Sequence, residues 1–116
     1  MPFETKDLAY LWDMLDAAVQ ARAFLGSKTL DEYLNDPMLQ AAVERKIEII
    51  GEAARKISQD FRSAHNDIPW RRIIGLRNVL IHDYGDIDHI AVWKVVKDNI
   101  PELTEKLQCL VPQSPY

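Results

Sequence analysis

Cysteine occurs once in these 116 residues, at Cys109, so no internal disulfide can brace the chain. Its place in an apolar-periodic segment predicts a reduced, buried thiol in a cytoplasmic protein. Glycine (four) and proline (six) are too scarce for a loop-rich fold. No apolar run approaches the roughly 20 residues of a membrane span. The opening Met-Pro-Phe-Glu-Thr-Lys-Asp lacks the basic and apolar regions of a signal peptide, so the chain is expected to stay where it is made. An excess of positive charge is also missing. The formal net charge of −4 argues against a general nucleic-acid binder. The charge is unevenly spread, however. Residues 1–40 carry 3 Lys/Arg against 7 Asp/Glu, residues 83–116 carry 3 against 6, and residues 41–82 carry 8 against 5. A basic middle between acidic ends is compatible with a local phosphate-binding patch, and equally with a solvated helix face.

What is present is material for one helical core. Apolar residues make up 47% of the chain, ample for a packed interior at this length. Their period is helical nearly throughout. Leu8, Leu11, Trp12, Leu15, Val19 and Arg22 recur at three- and four-residue spacings, and Gly26 is a C-terminal stop. Thr29 with Glu32 reads as a capping box for a short second helix. Asp36-Pro37 then starts a third, predicted to run to about residue 61 with Leu39, Val43, Ile47, Ile50, Ala54, Ile57 and Phe61 on one stripe. Gly51 within it predicts a close helix–helix approach. Residues 62–68 read as a polar loop. Pro69 opens a fourth helix ending near Tyr84-Gly85. Asp86 or Asp88 caps the last, whose stripe is Ile90, Trp93, Val96, Ile100, Leu103, Leu107 and Leu110, with a kink or break at Pro101. The expectation is an all-α bundle of about five helices forming one domain over residues 1–116, frayed after about residue 111. Its wide stripes and three tryptophans point to a homodimer.

Chemistry concentrates in Arg77-Asn78-Val79-Leu80-Ile81-His82-Asp83-Tyr84. On a helix Asn78 and His82 are i,i+4 neighbours, so the amide can hold one imidazole nitrogen and select its tautomer. Arg77 and Tyr84 share an azimuth about 10 Å apart along the axis. Arg77 and His82 lie about 140° apart, too far round to grip one phosphate from a single straight helix. Either the helix end unwinds, or a second copy supplies the facing groups. Histidine exchanges protons near neutral pH, and arginine presents a forked, permanent set of donors to phosphate oxygens. RNA carries its own nucleophile in the 2′-hydroxyl. A base, an acid and a fixed cation therefore suffice for its cleavage, and neither a metal nor a cofactor is needed.

The run Ile68-Pro69-Trp70-Arg71-Arg72-Ile73-Ile74-Gly75-Leu76-Arg77-Asn78-Val79-Leu80-Ile81-His82-Asp83-Tyr84 resembles the signature of the HepT-like branch of HEPN proteins. That pattern is R-x-x-x-x-H-x-Y with a polar residue after the Arg, and Arg77, Asn78, His82 and Tyr84 fill every slot. Ile50-Gly51-Glu52-Ala53-Ala54 resembles the same family, as does the length. The resemblance implies a homodimeric HEPN-like antiparallel bundle acting as a ribonuclease toxin, with two copies of the motif lining an intersubunit cleft. It further implies a minimal nucleotidyltransferase antitoxin of the MntA type. That partner uses ATP to transfer AMP to the motif tyrosine, here Tyr84, adding bulk and negative charge where the RNA phosphate must sit.

The expected roles follow. Arg77 binds phosphate and stabilises the transition state, and His82 is the general acid/base. Asn78 orients His82, with a plain helix-surface role nearly as good a reading. Glu52 is a candidate for a buried pair, with Arg77 as partner. Arg71 and Arg72 either extend the RNA-binding surface or occupy a solvated face. His65 lies in a polar loop without a role, and His82 and His89 are too far apart for a metal site. The alternative function is a non-catalytic helical subunit that docks the nucleotidyltransferase and presents a substrate to it.

Overall fold

A computed structural model describes residues 5–76 and 87–111, and these form an all-helical bundle. Helix α1 spans Thr5–Leu25, α2 Leu30–Leu34, α3 Pro37–Lys56, α4 Gln59–Ala64, α5 Trp70–Ile74 and α6 His89–Lys94. A π-helical turn, Val95–Asn99, joins α6 to α7, Ile100–Leu110. Among the described residues, no helix is long and apolar enough to cross a membrane.

Local chemistry sets most boundaries. Gly26 takes φ +52° and ends α1, a conformation that only a residue without Cβ adopts freely. Thr29 and Glu32 close a reciprocal capping box on α2. The Asp36 carboxylate accepts from the Leu39 N–H, with Pro37 in the first turn of α3. Asp88, rather than Asp86, caps α6 by accepting from Ala91 N–H.

The main helix–helix contact is α1 against α3, with α7 also on α1 and α5 on α3. Leu11, Met14, Ala18 and Leu25 meet Val43, Ile47 and Ile50 in a core closed by Val92, Ile100 and Leu107. Ala17, Ala18 and Ala21 are all buried, which turns the α1 stripe away from Val19; that residue is 45% exposed where a core position was expected. At the other end of the chain Val92 is buried and Ile90 exposed.

Three further expectations are corrected. The third helix stops at Lys56 instead of continuing to residue 61. The buried Asp7 carboxylate accepts from both the Ser58 N–H (2.8 Å) and its hydroxyl (2.7 Å), so that N–H is withdrawn from the α3 ladder. Ser58 then caps α4, which takes up residues 62–64 of the expected 62–68 loop. Cys109 is exposed, not buried. It lies two residues past the buried Leu107, about 200° round the helix from the core. Finally, Pro101 does not merely kink the last helix. It cannot donate to the Lys97 carbonyl, and the preceding turn widens so that the Ile100 N–H reaches Val95 O instead.

Candidate functional site

Arg77, Asn78, His82, Asp83 and Tyr84 lie outside the described residues. The structure defines the two banks between which their segment runs, α5 before it and α6 after it.

The entry bank is built by close packing. A Cβ at Gly51 would stand 3.3 Å from the Ile73 carbonyl oxygen, so the missing side chain lets α5 lie directly on α3. This is the approach expected from a glycine inside a strong helical pattern. Trp70 is buried, meets Phe61 edge-on at 6.2 Å, and donates its indole N–H to the His65 carbonyl at 3.0 Å. His65, expected to be without a role, thus anchors Trp70 through its backbone and lies against the Phe61 ring, centroids 4.4 Å apart.

Arg71 and Arg72 are exposed, and neither guanidinium has a hydrogen-bond or ion-pair partner among the described residues. Both cations stand on α5, shortly before Arg77 in the chain. Arg77, the expected partner of Glu52, lies outside the described residues, and Glu52 itself is only half-buried. Its carboxylate, 45% exposed, takes Arg55 at 2.9 Å one turn along α3. The i,i+3 spacing satisfies it locally, in water.

The exit bank rests on a polar cluster that sequence reasoning missed. Glu44, 6% exposed on α3, accepts from the Tyr33 hydroxyl at 3.2 Å and pairs with His89 Nδ1 at 2.6 Å. His89 is the first residue of α6 and meets the Tyr33 ring edge-on at 6.3 Å. Burial, reinforced by the charge of Glu44 and the hydrogen bond to it, holds the Tyr33 hydroxyl well above its ordinary 10.0. One signal was available. Glu44 sits beside Val43 and three residues before Ile47, so a carboxylate on the core side of the stripe needed a partner.

These banks flank a segment whose residue types suit phosphodiester chemistry, and comparison with known proteins agrees. The family model described as ribonuclease HepT-like matches residues 14–110, which include the whole Arg77–Tyr84 motif. The chain belongs to the ribonuclease HepT-like family. A Methanocaldococcus jannaschii protein named as a candidate RNase is 41% identical over 100 residues, covering 86% of this chain and 92% of that protein. A Thermococcus cleftensis protein named a probable ribonuclease HepT is 40% identical over 101 residues, covering 87% and 92%. A candidate RNase of Caldanaerobacter subterraneus is 35% identical over 80 residues, covering 69% and 71%. No solved structure gives a significant match.

Proposed function

We propose that this HepT-like chain is the toxin of a bacterial or archaeal toxin–antitoxin pair, a metal-independent endoribonuclease working as a homodimer. The observation that carries the reading is the family match across residues 14–110, enclosing an intact Arg77, Asn78, His82, Tyr84 motif. In the proposed reaction the RNA 2′-oxygen attacks the adjacent phosphorus and the bond to the 5′-oxygen breaks. One His82 takes the 2′-hydroxyl proton, and the His82 of the other subunit gives a proton to the departing 5′-oxygen. Arg77 neutralises the charge that gathers on the phosphoryl oxygens. Asn78 fixes the His82 tautomer. The products are a 2′,3′-cyclic phosphate and a free 5′-hydroxyl.

The need for two histidines, and the angle of about 140° that a straight helix would put between Arg77 and His82, both favour a site shared between two copies. Exposed Val19, Phe24, Leu34, Met38 and Ile90 supply apolar surface for association, Met38 at 84% exposure being the most open. Tyr84 is the proposed off-switch, modified with AMP from ATP by an MntA-type nucleotidyltransferase partner.

The test is purified, AMP-free protein incubated with RNA in the presence of a chelator. Cleavage to 2′,3′-cyclic ends, lost in folded Arg77→Ala and His82→Ala variants, is the expected result. Intact RNA with the parent protein would refute the enzymatic reading and favour a non-catalytic subunit of the nucleotidyltransferase. Intact mass after co-expression with the partner tests the switch: an added multiple of AMP, mapped to Tyr84 and absent from Tyr84→Phe.

A further inference from the structure

We infer that the cleft between α4 and α5 is a subsite for a non-scissile phosphate of the RNA strand. The inference rests on the RNA-cleaving reading and extends it to residues outside the motif. The cleft has a volume of about 530 Å³, and its walls include Arg62, Arg71, Gln59, Ser63, Asn66 and Trp70. No carboxylate lines it among the described residues.

Three features mark it as built for an anion. Arg62 lines the cleft, and its buried Nε has no hydrogen-bond partner, so no protein acceptor offsets the guanidinium charge at that atom. Arg71, which also borders the neighbouring cleft against α7, adds a second cation to the lining without an ion-pair partner among the described residues. Ser63 Oγ accepts from Gln59 Nε2 at 3.2 Å, and both side chains line the cleft together with Asn66, adding neutral groups able to donate. Two cations and neutral donors around one cavity suit a phosphate diester, while the buried Trp70 gives an apolar wall for the sugar.

The neighbouring cleft against α7 contrasts with it. There Lys106 is already engaged by Glu102 at 3.4 Å and by the Asp67 carbonyl at 2.7 Å, and both acidic residues line the cavity. That cleft sets two carboxylates against its three cations, Arg71, Arg72 and Lys106, whereas no carboxylate lines the α4–α5 cleft among the described residues. Position in the chain identifies the phosphate. Ile74, also in the cleft wall, precedes Arg77 by three residues, which span at most about 11 Å. A phosphate held here thus belongs to a nucleotide close to the cleaved bond.

The experiment measures binding rather than cleavage, so it remains readable whether or not the protein cuts RNA. Fluorescence anisotropy follows labelled single-stranded oligo(U) and oligo(A) on a His82→Ala background. Arg62→Gln/Arg71→Gln should weaken binding about tenfold on both sequences, the scale of a lost charged hydrogen bond. The slope of log affinity against log salt should shrink by about 0.7, the share of one single-strand phosphate. Lys28→Gln, which removes a charge from the α1–α2 turn, should change neither quantity. Arg71→Gln alone, at an exposed position, should reproduce part of both effects and keeps the test open if the half-buried Arg62 variant melts early. Unchanged affinity, weaker binding at an unchanged salt slope, or a loss confined to one base sequence would each overturn the subsite. Failure of the ribonuclease reading would appear separately, as intact RNA with the parent protein.

Discussion

Replacing Glu44 with alanine removes a carboxylate that is 6% exposed and serves two partners. Tyr33 is fully buried, so its hydroxyl would lose its acceptor with no water at hand, at a cost of about 1–3 kcal/mol. The His89 contact is shorter, at 2.6 Å, but that side chain is 34% exposed and water can take over part of the bond. A charged hydrogen bond contributes about 1.5–3 kcal/mol, and the lower end applies here. The two losses together come to about 3–4 kcal/mol. For a chain of this size each kcal/mol moves Tm by roughly 4 °C, so Glu44→Ala should melt about 12–16 °C lower. Tyr33→Phe should cost only about 1–1.5 kcal/mol in the parent, and should restore part of the lost stability when added to Glu44→Ala, because it removes the buried hydroxyl left without an acceptor. Urea unfolding followed by circular dichroism gives all three values. A Glu44→Ala protein within about 0.5 kcal/mol of the parent would refute this account, since surface substitutions are of that size. Strict additivity with Tyr33→Phe would refute it equally. Because His89 opens α6, Glu44→Ala should also lower RNA cleavage at temperatures where the variant remains folded.

Other outcomes follow from the same structure. The folded state keeps the Tyr33 proton where the unfolded chain releases it, so this contribution to stability is complete below pH 10.0 and drains away as pH rises above it. Urea midpoints should therefore fall at alkaline pH, and less steeply in Tyr33→Phe; an equal slope in both proteins would exclude Tyr33 as the cause. Gly51→Ala gains about 1 kcal/mol of helix propensity but presses on the Ile73 carbonyl 3.3 Å away, so near-neutral stability with reduced RNA cleavage is expected. Gly51→Leu, which must push α5 off α3, should cost about 2 kcal/mol or more by thermal melting; a protein as stable as the parent would show that the approach carries no load. Asp7→Ala removes both bonds to Ser58 and should destabilise by about 2–3 kcal/mol, with Asp7→Asn costing less. Equal melting of Asp7→Ala and parent would show that the α3–α4 break is held by something else.

Features legible in the sequence are those whose chemistry is local. The cap at Asp36, the box at Thr29 and Glu32 and the stop at Gly26 each involve partners within a few residues, so pattern and structure coincide. The break at Ile57–Ser58 was hidden because its cause, Asp7, lies 51 positions earlier. The same holds for Glu44, whose partners Tyr33 and His89 are 11 and 45 positions away. Pro101 announced an irregularity but not its form, since widening the previous turn and breaking the helix both relieve a missing N–H. At the candidate site, the motif was legible as residue identities. The α4–α5 cleft was not, because residues 62–68 read as a loop, and a loop gives no reason to place Arg62 beside Arg71.

Both banks of the motif segment are held by one helix. Gly51 receives α5 and Glu44 holds the first residue of α6, and these two positions of α3 are seven residues apart. Seven residues turn a helix through about 700°, some 20° short of two full turns, and advance about 10.5 Å. The attachment points therefore share one face of α3 at the spacing of two turns. That relation gives the otherwise dissimilar pair a common purpose. A glycine admits the backbone that leads into Arg77, and a buried carboxylate captures the side chain that follows Tyr84 by five positions. Catalysis needs its groups held to fractions of an ångström, which is easier when the elements on either side of them are fixed to one rigid helix. The rigid element here is α3, whose other buried residues, Val43, Ile47 and Ile50 among them, lock it into the core. Substitutions at Gly51 and Glu44 should accordingly impair RNA cleavage in the same way, although one acts through packing and the other through charge.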